Sequence, residues 1–145
     1  MRPVGLHLFA TPIGVCAVGW FDDDAARLCG AWLPDADAQH LRVRLARWLP
    51  AARETTPTAV ACAAAEGITA LLHGERRDLR EIALDWGDTP AFERRVWEAA
   101  RAIDPGRTCT YGELAAAIGE GPGAARAVGQ ALGRNRFAPI VPCHR

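Results

Sequence analysis

Apolar residues open the chain in short runs, "LHLFA", "VCAVGWF" and "ARLCGAWL", broken by the turn signal "TPIG" and the acidic stretch "DDDA". Runs of that length with such short connections predict three strands in an antiparallel meander. The period then changes. Leu41, Leu45, Trp48 and Leu49 recur at helical spacing and predict a helix over about residues 36–49, with these side chains on its apolar face. "ETTPTA" reads as a linker. An Ala-rich segment predicts a helix over about residues 58–72, and Gly74 stands where a C-terminal capping glycine belongs. "EIALDW" predicts one more strand. Together these elements make a small α/β unit, residues 1–87, with no catalytic constellation of its own.

From residue 88 the pattern is mainly helical. In "DTPAFERRVWEAARAI", Thr89 is placed to cap a helix and Pro90 to open it, while Phe92, Val96, Ala99, Ala100 and Ile103 share a face. "DPGRTC" ends that helix. In "TYGELAAAIG", Thr110 and Glu113 have capping-box spacing, and Gly119 closes a short helix. "GPGAARAVGQALGRN" predicts another, with Pro122 near its first turn. Ala125, Val128, Ala131 and Leu132 form its apolar face, and Arg126, Gln130 and Arg134, four apart, line the other side. Two short helices joined by a glycine-containing turn, the second presenting Arg and Gln, have the helix-turn-helix pattern; many helical hairpins of this kind bind no nucleic acid. "FAPIVP" reads as a short buried strand leading to the end of the sequence.

Composition narrows the partners. The chain has 145 residues, 50% of them hydrophobic, enough for a sizeable core, and its net charge is +0. That balance is uneven. Residues 1–88 hold nine Arg against twelve Asp and Glu, residues 89–145 eight Arg against five, and residues 121–145 hold Arg126, Arg134, Arg136 and Arg145 with no acid. A basic end suits an anionic partner, or is simply a solvated face. The five cysteines, Cys16, Cys29, Cys62, Cys109 and Cys143, are odd in number and lack C-x-x-C spacing. That excludes a disulfide framework and fits a reducing compartment, so a cytoplasmic protein is expected. "TPIG" interrupts the apolar start and argues against a signal peptide, and no run is long enough to span a membrane. His7, His40 and His73 with Cys16 and Cys29 match no zinc spacing, and neither a P-loop nor G-x-G-x-x-G occurs; no metal and no cofactor is expected.

Cys143 carries the strongest chemical signal. Pro142 before it constrains the backbone, His144 follows it, and Arg145 with the basic helix raises the local positive potential, which favours thiolate. The competing reading is a buried structural cysteine, a common fate of the residue. Neighbours in a strand point to opposite faces, so Cys143 and His144 need a turn or a bridging water to communicate.

The stretch "TYGELAAAIG…GAARAVGQALGRNRFAPIVPCHR" resembles the O6-alkylguanine-DNA alkyltransferases, or methylated-DNA–protein-cysteine methyltransferases. Their active-site signature is "PCHR" after apolar residues, with "RAVG" and an asparagine at this spacing before it. "TPAFERRVWEAARAIDPGRTCTYGELA" matches that family's pattern too, and "TPIG" and "LLHGERRDL" extend a weaker likeness towards the start. The resemblance implies an N-terminal RNase-H-like α/β domain (residues 1–87) and a winged helix-turn-helix domain (residues 88–145). It implies DNA repair by irreversible, single-turnover transfer of an alkyl group from O6 of guanine, or O4 of thymine, to Cys143. The implied partner is double-stranded DNA with alkylated guanine, bound by a monomer. By the same resemblance His144 deprotonates Cys143 through a water, and Asn135 braces the turn carrying the cysteine. Tyr111 crowds the flipped nucleotide's phosphate and can donate to the base. Arg126 fills the gap left in the duplex. The helix near Ala125, with Gln130 and Arg134, meets DNA, the small Ala124, Ala125 and Gly129 permitting close approach.

The sequence also departs from that pattern. The family continues past "PCHR" through an apolar strand, a glycine-rich loop and a final helix, with a glutamate that orients the histidine. Residues 1–145 hold none of these, so the chain is expected to be a truncated form of an alkyltransferase, weakly active or inactive. Arg136 stands where the family often has Pro, and "GEGPGAAR" is slightly long between the two helices. Two other functions remain open: a non-catalytic alkylated-DNA recognition protein, and a helix-turn-helix regulator.

Overall fold

The fold is known from a computed structural model, which describes residues 2–77, 79–104 and 106–142. Strands β1 (Val4–Thr11), β2 (Gly14–Phe21) and β3 (Gly30–Trp32) form the expected antiparallel meander. The β1–β2 turn closes with Thr11 opposite Gly14; the Thr11 hydroxyl donates to Gly14 O at 2.6 Å, and Gly14 takes a φ of +127°. That angle favours glycine, which has no Cβ to clash.

Alternation along β2 decides the layering. Cys16, Val18 and Trp20 face one core, whereas Ala17 joins Val4, Leu6, Cys29, Leu41 and Leu45 in another. Helix α1 (Ala38–Trp48) supplies Leu41 and Leu45 to this second core. Asp37 caps it, its carboxylate accepting His40 N at 2.8 Å. Trp48, expected on the apolar face, is 62% exposed as the last residue of the helix. Helix α2 (Ala59–Leu72), capped by Thr58, covers the opposite face with Ala61, Ala64 and Ile68. Gly74 follows at φ +94°, as its position predicted.

Three local expectations are corrected. The third run is a strand only at Gly30–Trp32. "EIALDW" forms no strand: Ile82 and Leu84 are buried in alternation, but Leu84 makes only an isolated bridge to Leu28. The sheet instead gains β4 (Ala52–Glu54), parallel to β1, where the linker was expected to begin, giving the order β3-β2-β1-β4.

Helix α3 (Ala91–Arg101) begins one residue later than expected. Pro90 holds the N-cap position, and the Thr89 hydroxyl donates back to Trp86 O instead of capping. Val96, Trp97 and Ala100 are buried. Helix α4 (Tyr111–Ala117) carries the full Thr110–Glu113 capping box and ends before Gly119 at φ +83°. A 3-10 turn (Pro122–Ala124) leads into α5 (Ala125–Gly133), which buries Val128, Ala131 and Leu132. Trp97 Nε1 donates to Ala131 O at 2.9 Å, joining α3 to α5 inside the core. "FAPIVP" is a compact turn and not a strand. Phe137 bridges Ala31, and Phe137, Ile140 and Val141 are fully enclosed. The larger core runs from Cys16 and Val18 of the sheet to Ile140 and Val141, across both halves of the sequence.

Candidate active site and nucleic-acid interface

The described sequence-predicted residues lie on the α4–α5 pair and on the turn that follows α5. Tyr111 opens α4 with its ring lying over Gly129 of α5 and is 50% exposed. A Cβ at position 129 would meet the ring at 2.8 Å, closer than real contacts allow. Gly129 is therefore what lets the tyrosine lie against α5. On α5 itself Arg126 and Gln130 are exposed and Ala125 is half-buried. Among the described residues no carboxylate pairs with Arg126. Arg134, one turn beyond Gln130, is engaged: its Nη1 lies 2.7 Å from Glu93 Oε1 of α3.

Asn135 follows α5 and organises the turn after it. Its Nδ2 donates to Val141 O at 2.6 Å, and its Oδ1 accepts Phe137 N at 2.8 Å. Val141 N in turn donates to Phe137 O at 3.0 Å. One half-buried amide thus satisfies a donor and an acceptor four residues apart, and the turn is closed on itself. Val141 and Pro142 are buried at its end. Cys143 and His144, the expected nucleophile and base, lie outside the described residues.

Three of the other cysteines, Cys16, Cys29 and Cys109, do not suit nucleophilic chemistry. Burial pushes the Cys16 thiol up, and burial pushes Cys29 up to about 12 despite the opposing charge of Arg136. Cys109 is also raised, by burial and then by Glu113. Thiols held above their ordinary range are poor nucleophiles near neutrality, because the thiolate is the reactive form. Cys62 is exposed on α2. Among the described residues no group of three or more His, Cys, Asp or Glu is placed to hold a metal ion, and no helix is long and apolar enough to cross a membrane.

Sequence reasoning missed the importance of Arg136. Its Nη2 donates to Trp86 O at 2.7 Å and its Nε to Cys29 O at 3.3 Å. The only signal was its oddity against the family pattern, since carbonyl partners leave no mark in a sequence.

Comparison with known proteins agrees with this geometry. Residues 91–145 match the family model described as the DNA-binding domain of 6-O-methylguanine DNA methyltransferase. A methylated-DNA–protein-cysteine methyltransferase of Salmonella typhimurium is 58% identical over 59 residues, which are 41% of this chain and 33% of that protein. The match therefore spans about a third of that relative's length. The crystal structure of Mycobacterium tuberculosis O6-methylguanine methyltransferase superposes with a TM-score of 0.75 at 32% identity, covering 98% of this chain and 77% of that one. The same organism's enzyme in complex with DNA superposes with a TM-score of 0.70 at 28% identity, covering 97% and 77%.

Proposed function

The chain belongs to the methylated-DNA–protein-cysteine methyltransferases, and from that premise we propose that it repairs alkylated DNA by moving the alkyl group onto Cys143. The observation that carries this reading is the Asn135 brace. A closed turn, built from Asn135, Phe137 and Val141, leads in sequence to Pro142 and Cys143 and follows a helix whose outward Arg126 has no carboxylate partner among the described residues.

The chemistry needs each part. Dealkylating an oxygen calls for a soft, strong nucleophile, and thiolate is the best side chain for it. The Cys143 sulfur attacks the alkyl carbon; the S–C bond forms and the O6–C bond breaks. The electron pair returns to O6, and the guanine regains its ring proton at N1. His144, through a water, takes the thiol proton beforehand. The thioether is stable, so each molecule acts once. The target atom lies inside a stacked duplex, so the nucleotide has to be flipped out at a cost of a few kcal/mol, less at a damaged pair.

In this reading residues 88–145 meet double-stranded DNA, and residues 1–87 support the turn. Arg126 enters the stack in place of the flipped nucleotide. Ala125 and Gly129 let α5 approach the duplex, and Gln130 borders the contact. Tyr111, held against Gly129, crowds the backbone of the flipped nucleotide and donates from its hydroxyl. Arg134 serves DNA only by sharing or leaving Glu93. The small, alanine-rich surface around Arg126 suits scanning by shape more than base readout by several polar groups, which favours repair over a sequence-specific regulator.

Intact-mass measurement after incubation with a duplex containing O6-methylguanine tests the proposal. The expected result is a gain of one methylene, absent with the undamaged duplex and absent in Cys143→Ala. Lesion-selective binding without any gain would make the chain a recognition protein, and a footprint on one defined sequence would make it a regulator.

A further inference from the structure

The turn that Asn135 braces from within is also held from outside. Arg136 reaches away from the turn to Trp86 O at 2.7 Å and Cys29 O at 3.3 Å, and its own carbonyl accepts Ala31 N at 2.8 Å. Its guanidinium lies 5.2 Å from the Phe137 ring centroid and 5.8 Å from that of Trp97. Among the described residues no carboxylate pairs with it. A half-buried cation is therefore balanced by two carbonyl dipoles and two ring faces.

The anchors are themselves fixed. Cys29 N donates to Gly19 O at 2.8 Å in the sheet, and Trp86 O also accepts Thr89 N at 3.1 Å. The Trp86 ring packs edge-on to Phe137 at 5.5 Å. The planar fork of Arg136 spans carbonyls 57 residues apart in sequence, Cys29 and Trp86, and ties both to one turn. A lysine ammonium is a compact point charge and would serve one carbonyl but not both in this geometry.

We propose that Arg136 is a positioning residue, which registers the 135–142 turn against the sheet and so sets how the acceptor cysteine meets the flipped base. The proposal rests on the reading that Cys143 is the acceptor. Asn135 fixes the shape of the turn; Arg136 fixes where that shape sits. Removing the outer anchor leaves the Asn135 bonds available but frees the turn to shift relative to α5 and Tyr111. A misplacement of about 1 Å at a reacting centre can cost about 100-fold in rate, whereas the α5 surface that meets DNA is untouched.

Arg136→Met and Arg136→Lys in the whole chain test this, with three readouts: the transfer rate at saturating O6-methylguanine duplex, the affinity for that duplex, and amide hydrogen exchange. The expected result is a rate lowered about tenfold or more in Arg136→Met and partly restored in Arg136→Lys. Duplex affinity stays within about twofold of the parent, since α5 carries it. The Phe137 and Val141 amides exchange faster, while the Arg134 amide, bonded to Ala131 O at the end of α5, does not. An unchanged rate with unchanged exchange in folded Arg136→Lys overturns the proposal, and so does an affinity loss that accounts for the whole rate loss. Where Arg136→Met does not fold, Arg136→Lys alone decides. Absence of transfer in the parent overturns the acceptor reading instead, and the exchange of Phe137 and Val141 still shows whether Arg136 holds the turn.

Discussion

Helices α1 and α5 both send arginines outward, and their neighbours treat those arginines differently. On α1, Arg42 Nε sits 2.8 Å from Glu54, Arg44 Nη1 is 3.4 Å from Asp35, and the His40 ring lies 2.8 Å from Asp37. On α5, Arg134 has Glu93 at 2.7 Å, but no carboxylate among the described residues answers Arg126. A basic helix face is therefore not in itself a binding site. In the proposed reading the site lies where an arginine without an acid among the described residues shares a helix with the glycine that seats Tyr111, ahead of a turn closed by Asn135. Arg47 at the end of α1 also has no carboxylate partner among the described residues, and the helical half pairs Arg94 with Glu98 and Arg95 with Glu120, so an unpaired arginine alone marks nothing; what sets Arg126 apart is Tyr111 seated on Gly129 of the same helix.

The comparison breaks most severely at Asn135. Asn135→Ala leaves the enclosed Val141 carbonyl and Phe137 amide without partners, each worth about 1–3 kcal/mol. Urea unfolding should show that loss, with transfer falling further than stability predicts because the turn loses its shape. Arg126→Ala should act differently. If the arginine offsets the few kcal/mol of unstacking, as proposed, its loss corresponds to about 100-fold in rate. That loss is expected with duplex substrate only, while labelling by a free benzylguanine probe changes little. An equal loss with both substrates would place Arg126 in the chemistry and not in the duplex.

On the sheet side the sharpest expectation concerns Cys29. Its folded thiol is pushed up to about 12, well above an ordinary thiol. Below the unfolded thiol's titration, near 9, the two states hold the same proton and stability is unaffected. Above it, the unfolded chain releases a proton that the fold retains. Stability should thus fall as pH rises from about 9 toward 12, at up to about 1.4 kcal/mol per pH unit. Urea midpoints at pH 8 and pH 10 should converge in Cys29→Ala. The smallest effect is expected at Arg42, an exposed pair with Glu54: Arg42→Ala should leave stability and DNA binding near those of the parent.

What the sequence revealed was local. The capping box at Thr110 and Glu113, the glycines at 74 and 119 and the β1–β2 turn are short-range devices, and each stands where residue type and spacing put it. What it hid was non-local. Strand β4 is three residues whose only reason to be a strand is a parallel partner nearly fifty positions earlier, Val4 against Ala52. "EIALDW" alternates like a strand, yet its pairing stops at Leu84 and Leu28. Trp48 fell on the apolar face by period but is 62% exposed, beside Leu49, which does pack on the core. The site divides in the same way. Tyr111, Arg126 and Asn135 carry a family pattern in one continuous stretch, whereas Arg136 takes its meaning from the carbonyls of Cys29 and Trp86.

If the braced 135–142 turn delivers the acceptor, the methyl group goes to the cysteine that follows it and to no other. Peptide mapping after reaction with O6-methylguanine duplex tests it most directly, because tryptic cleavage after Arg136 isolates "FAPIVPCHR" from every other cysteine. The account predicts the methyl group on Cys143 alone. A methyl group on Cys16, Cys29, Cys62 or Cys109, or one spread among several cysteines, would contradict it.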